Sequence, residues 1–242
     1  MSLTVRNISA SLKIIFFALP AIGWQNNPPS VKLINLSKTK DLQWNAFISY
    51  KIFVTDKEDG LSDKNQISPN EVLLKVKFFP DSNLAVSYIK KENSNLPEAT
   101  GISMIKSFNC FTCHRVKTKL TGPSFDSIAT RYPPTQVTFD RLADKIIKGS
   151  KSVWAQTEMP PHPDVTNVQA KDMLQWIFKN STSPDLDYLV GFDGIIHTKP
   201  KPANPGSSVY VLTASYTDHG LPDKPNTQKR GQQILILRSS EK

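Results

Sequence analysis

Two thiols and an imidazole fall within five consecutive residues, Cys110-Phe111-Thr112-Cys113-His114. Thiols at this spacing can each add across a vinyl group to form a thioether, and a histidine directly after the second is placed to reach a metal held between them. C-x-x-C-H is therefore the attachment pattern of a c-type haem, one covalent group for one motif. A dithiol redox pair would need a surrounding βαβ pattern, and a zinc site would need two further ligands nearby. The sequence offers neither, because these are its only two cysteines and His162, His197 and His219 stand far along the chain.

An iron with one histidine ligand needs a sixth ligand, and the thioethers are Met1, Met104, Met159 and Met173. Met104 and Met173 fall on apolar helical faces, where packing is their expected role, and Met1 lies outside the segment. Met159 sits in an irregular stretch ahead of Pro160-Pro161, which fixes the local backbone. His162, three residues on, is the alternative ligand, and a bis-histidine iron would have the lower reduction potential.

The elements that must position these groups are helical. Pro97 suits the first turn of a helix running toward Cys110, with Met104 and Phe108 one turn apart. Leu142, Ala143, Ile146 and Ile147 form a second apolar stripe closed by Gly149. Ala170, Met173, Leu174 and Ile177 form a third, opened by Thr166-x-x-Gln169 in capping-box spacing. Three short helices make a marginal core, which a covalent cofactor would supplement.

Taken together, C-x-x-C-H, Thr121-Gly122-Pro123, the run Lys148-Gly149-Ser150-Lys151-Ser152-Val153-Trp154, Met159-Pro160-Pro161 and the last amphipathic helix resemble, in order, a class I cytochrome c of the small bacterial c551/c552 type. That resemblance covers residues 97–180. It implies one covalent haem c attached at Cys110 and Cys113, His114 as proximal and Met159 as distal iron ligand, the carbonyl of Pro123 orienting the His114 ring, and Trp154 beside a haem propionate. Asn109 stands where the family often has glycine, and asparagine tolerates the left-handed backbone.

Before this segment, alternation of Ile48, Tyr50, Ile52 and Val54 with Ser49, Lys51 and Phe53, then the turn Thr55 to Gly60 and the run Val72 to Phe78, predicts strands from about Val31 to Tyr88. The stretch Val54 to Gly60 resembles the turn of an immunoglobulin-like PKD domain. Asp56, Glu58, Asp59 and Asp63 there form a solvated turn, with calcium the alternative. After it, Pro184, Pro200, Pro202 and Pro205 interrupt the chain before strands at Ser208–Thr217 and Gln233–Arg238. The expected class is multidomain: a signal peptide at 1–24, a PKD-like β-sandwich at 30–95, an all-α cytochrome c fold at 96–180, and at 181–242 a small accessory β-module or strands completing another sheet. Leu212 to Asp218 and Ile236 to Arg238 resemble segments that follow the haem domain in multidomain secreted sugar dehydrogenases of the glucose/sorbosone type.

Arg6 and Lys13 ahead of the short apolar run Ile14–Gly23 read as a leader for export to the periplasm or beyond, too short to span a bilayer. The formal charge of +9 is spread along the chain with no basic stripe, which argues against nucleic acid. Arg115, Lys117, Lys119, Lys148 and Lys151 flank the motif or the Trp154 loop and predict steering of an acidic partner. No catalytic motif appears. The expectation is an electron carrier rather than an enzyme, not integral to the membrane, accepting single electrons from a dehydrogenase and passing them to a respiratory acceptor. The competing class is a binding or scaffold protein whose β-modules contact polysaccharide.

Overall fold

A computed structural model describes residues 25–34, 36, 42–94, 97–151, 154 and 158–238, so the expected signal peptide at 1–24 lies outside the described residues. Strand β2 (Phe47–Asp56) follows its sequence alternation, with Ile48, Tyr50, Ile52 and Val54 buried and Phe47, Ser49 and Lys51 exposed. It pairs antiparallel with β1 (Ser30–Ile34), with β3 (Gly60–Leu61) and, across a long separation in sequence, with β6 (Asp193–His197), where Ile48 faces Ile196. The second sheet runs β5 (Leu186–Val190), β4 (Leu73–Phe79), β7 (Val209–Thr217), β8 (Arg230–Arg238), all antiparallel. The two sheets meet face to face. Val31, Leu33, Ile52 and Val54 pack on Leu74, Val76, Phe78, Leu212 and Tyr216 in one continuous core, each fully buried Leu or Phe contributing about 1.5–3 kcal/mol.

Of the two readings of residues 181–242, strands that complete another sheet match the structure and a separate module does not: β5 and β7 pair with β4, β8 with β7, and β6 with β2, so the chain after the helical segment completes both sheets of the sandwich. The strand pattern expected to reach Tyr88 stops at Phe79, and Ser82–Asn93 is a helix, α1, whose N-cap Asp81 accepts from the amide of Asn83. Its Ala85, Tyr88 and Ile89 cover Phe79, Val209 and Val211 on the outer face of the second sheet. Strands β5 and β6 come from a proline-bordered region with little alternation in its sequence.

Between α1 and β5 the described residues form four α-helices, α2 (Thr100–Ser107), α3 (Phe125–Arg131), α4 (Gln136–Lys148) and α5 (Asn167–Asn180). Helix α2 begins at Thr100, so Pro97 precedes it rather than sitting in its first turn. Short α3, capped by Ser124 onto the Ser127 amide, has no expected counterpart. The capping box is present: Thr166 accepts from the Gln169 amide and the Gln169 side chain accepts from the Thr166 amide. Helices α2 and α5 cross closely at Gly101, where an added Cβ would lie 2.4 Å from the Asp172 carbonyl oxygen and 2.5 Å from the Trp176 Cβ.

The helical segment does not stand alone either. Leu73, Tyr188 and Val190 of the second sheet contribute to its core, and the Trp176 and Tyr188 rings meet edge to face at 5.0 Å. The contact is also polar. Lys106 of α2 pairs with Glu98 at 2.7 Å and reaches the Glu71 carbonyl at 3.4 Å, while Asn70 donates to Thr112 at 3.0 Å, within the motif itself.

Candidate functional site

The chain leaves α2 through Asn109, whose φ of 54° is the left-handed conformation its residue type tolerates. Cys110–Thr112 then form one 3-10 turn, with the Cys113 and His114 amides both donating to the Cys110 carbonyl at 3.2 and 3.0 Å. This turn places both sulfurs, unbonded to each other and half-buried, beside the imidazole. The Gly122 amide donates to the Cys113 carbonyl at 2.8 Å, folding Thr121-Gly122-Pro123 back against the motif. An added Cβ on Gly122 would meet the His114 Cε1 at 2.5 Å, so the ring lies directly on that glycine.

His114 is buried, stacks on Phe125 at 5.4 Å, and its Nδ1 lies 2.7 Å from the Pro123 carbonyl oxygen. A carbonyl accepts only, so Nδ1 carries the proton and Nε2 keeps its lone pair free. Burial lowers the His114 pKa despite the opposing Pro123 bond, which keeps the ring in the neutral form that ligates metals. The Cys110 thiol is pushed up to about 11, chiefly by burial. A catalytic redox thiol needs the opposite shift, which favours covalent attachment over dithiol exchange.

Met159 is held from the other side. Its amide and carbonyl exchange 3.0 Å hydrogen bonds with Ser150, just past the end of α4 at Gly149, and the His162 amide donates to the carbonyls of Ile146 and Ile147 at 3.1 Å. The two prolines thus span a short clasp fastened at both ends to the α4 terminus. Between this clasp and the motif lies a cavity of about 360 Å³. Cys110, Cys113, His114, Pro123, Trp154 and Met159 all line it, with an apolar wall of Leu142, Ile146, Leu174 and Ile177. Met173 and His162 line it as well. The sequence argument set Met173 aside as a packing residue, and it is buried on α5 but faces the same space.

Trp154 sits at one side of the cavity against Tyr132, with the Arg131 guanidinium over its ring at 4.7 Å and Arg141 over Tyr132 at 5.3 Å. Sequence reasoning missed these arginines, since no periodicity relates residues 131, 141 and 154. The basic patch expected around the motif is largely committed elsewhere. Arg115 donates to the carbonyl of Phe111, Lys117 to those of Ser181 and Ser183, and exposed Lys148 and Lys151 pair with Asp144 and Glu158. In the acidic turn, Asp56 accepts from the amides of Glu58 and Asp59, and Asp59 accepts from the Tyr216 hydroxyl at 2.6 Å. Among the described residues no three or more His, Cys, Asp or Glu side chains are grouped so as to hold a metal ion, in this turn or elsewhere.

Residues 101–181 match the family model for cytochrome c. Cytochrome c-552 of Nitrosomonas europaea is 40% identical over 74 residues, 31% of this chain and 72% of the relative. Cytochrome c-551 of Azotobacter vinelandii is 37% identical over 78 residues, 32% of this chain and 94% of the relative. The crystal structure of wild-type Nitrosomonas europaea cytochrome c552 aligns with a TM-score of 0.30 and 39% identity, over 31% of this chain and 94% of that one. The residues present fit the family's cofactor: two addable thiols, a neutral imidazole with a free lone pair and a thioether converge on one apolar cavity. The chain therefore belongs, through residues 101–181, to the cytochrome c family of monohaem electron-transfer proteins, with a single covalently attached haem c as its cofactor.

Proposed function

We propose that this protein is an exported one-electron carrier that accepts electrons from a dehydrogenase and delivers them to a respiratory acceptor. In this reading Cys110 and Cys113 would hold the haem through thioethers, and His114 and Met159 would ligate its iron. The bound cofactor supplies an iron that cycles between ferric and ferrous states, one electron at a time. The chain's own contribution is positional. Pro123 holds the His114 proton on Nδ1, the Ser150 clasp fixes the Met159 backbone, Trp154 lines the cavity against Tyr132, and the apolar wall would keep water from a bound haem.

The observation that carries the reading is the convergence of both thiols, the His114 imidazole and the Met159 thioether on one cavity. A thioether ligand and a dry wall both favour ferrous iron and so a higher potential than a bis-histidine site would have. Resemblance of Leu212 to Asp218 and Ile236 to Arg238 to secreted sugar dehydrogenases supports a sugar dehydrogenase as donor, and the PKD-like turn at Val54 to Gly60 fits the same architecture. The charged apolar leader at 1–24 supports export, and no helix among the described residues is long and apolar enough to cross a membrane.

The test is a ferric spectrum of protein matured outside the cytoplasm. The weak red-edge absorption of His/Met ligation is expected in the wild type, lost in Met159→Ala, and retained in Met173→Leu and His162→Ala. Its persistence in Met159→Ala, with loss in either of the other two, moves the ligand to that residue.

A further inference from the structure

The sandwich has a second cleft, away from the haem cavity. It opens at the seam between the two sheets, where β5 and β6 diverge, and the residues just after the motif, Arg115 to Thr118, border it; its volume is about 190 Å³. Tyr50 reaches it from the inner face of β2. That residue is 3% exposed, and what remains open of it borders the cleft. Burial, reinforced by Asp193 and Asp187, raises the Tyr50 pKa, so the group stays a protonated donor.

The other polar walls are two carboxylates and two cations. Asp187 uses one oxygen to accept from the Tyr188 amide at 2.8 Å, and Asp193 is exposed on β6 without a partner among the described residues. Lys117 is already occupied by the Ser181 and Ser183 carbonyls, while Arg115 spends one nitrogen on the carbonyls of Phe111 and His114 and retains further N–H donors. The charges balance. An anion entering the cleft would meet Asp187 and Asp193, and a cation would meet Arg115 and Lys117. At roughly 30 Å³ per water, the space equals about six waters, the size of a single hydroxylated ring.

We infer that this cleft binds one pyranose unit, a neutral and hydroxyl-rich ligand, with Asp187 and Asp193 accepting from adjacent hydroxyls and Tyr50 and Arg115 donating to its oxygens. Arg115 joins this site to the haem-attachment segment through the carbonyls of Phe111 and His114. Occupancy therefore shifts the reduction potential of the neighbouring iron. The inference does not depend on which residue is the sixth ligand.

The experiment uses the full-length holoprotein, titrated with D-glucose, D-galactose, D-mannose and D-xylose, and separately with sodium sulfate. Ligand-observed NMR and the midpoint potential are both followed. At least one sugar should bind saturably in the millimolar range and move the potential. Tyr50→Phe and the exposed Asp193→Asn should each weaken it tenfold or more, with the ferric spectrum unchanged. Three outcomes overturn the proposal: no saturable sugar binding, binding of sulfate in place of sugar, or an affinity unaltered in both variants. A failure of the axial assignment would instead show in the ferric band and leave sugar binding intact.

Discussion

Val54, Leu74 and Leu212 of the sandwich are wholly buried against one another's sheets, whereas Leu142, Leu174 and Ile177 of the helical segment border a cavity of about 360 Å³. The first region closes its core with its own side chains. The second surrounds space that only a cofactor fills, and it borrows Leu73, Tyr188 and Val190 from the sheet beside it. A core that lacks its central atoms loses the dispersion contacts on one side of every lining residue. The stability of the two regions should therefore answer to different perturbations.

The largest separation is expected in the double variant Cys110→Ala, Cys113→Ala. Covalent haem should vanish entirely, and amides of α2 and α5 should lose hydrogen-exchange protection while those of β2 and β7 retain it. Equal loss in both regions would mean that the sandwich cannot close around an unfilled helical segment. Leu74→Ala attacks from the other side. It should cost about 2–5 kcal/mol in denaturant unfolding followed by sheet probes, while the haem absorption of the native protein stays unchanged. An altered native haem spectrum would show that the two cores are one.

Gly122→Ala is a finer instrument. Its Cβ would press on the His114 ring from 2.5 Å, and relief of that overlap should cost about 1–3 kcal/mol. The loss should appear when unfolding is followed at the haem, with sheet exchange unaltered. The smallest expected effect is a pH dependence confined to the sandwich. His219 Nδ1 lies 3.1 Å from an Asp59 oxygen and Nε2 lies 2.9 Å from a Glu71 oxygen. Burial opposes its charge, but Glu71 and Asp59 outweigh that and raise its pKa. A raised folded-state pKa stabilises below the unfolded value of about 6.5, and the contribution fades as pH rises through the folded value. Exchange of the Asp59 and Glu71 turns should quicken over that window, and His219→Gln should flatten the dependence. A dependence that survives in His219→Gln would assign it to another group.

The site was legible because its chemistry is local. Cys110 to His114 is contiguous, Asn109 announces its own left-handed turn, and Thr166 and Gln169 are a cap written in four residues. Elimination singled out Met159, which lines the cavity, but Met173 and His162 line it as well. The sandwich was legible strand by strand and not as a whole. Ile48 faces Ile196 and Leu74 faces Leu189, pairings across more than a hundred residues that leave no periodic trace. The alternation of β2 predicts a buried face without naming what buries it, and short β5 and β6, bordered by prolines, carry too little pattern to find. The Arg131 and Trp154 contact and the Asn70 bond to Thr112 were hidden for the same reason.

Strands β4 and β5 are neighbours in space, yet the entire helical segment is threaded between them. Bringing together the ends of a flexible loop of on the order of 100 residues costs about 4 kcal/mol in chain entropy. The Gly101 contact offsets part of that cost, because α2 follows α1 near the start of the connection, α5 is its last helix, and their packing draws its two ends together. Filling the cavity therefore does more than stabilise the helices around it. By holding α2 against α5 it would shorten the effective loop that β5 must cross, so a filled haem site would favour the pairing of β4 with β5.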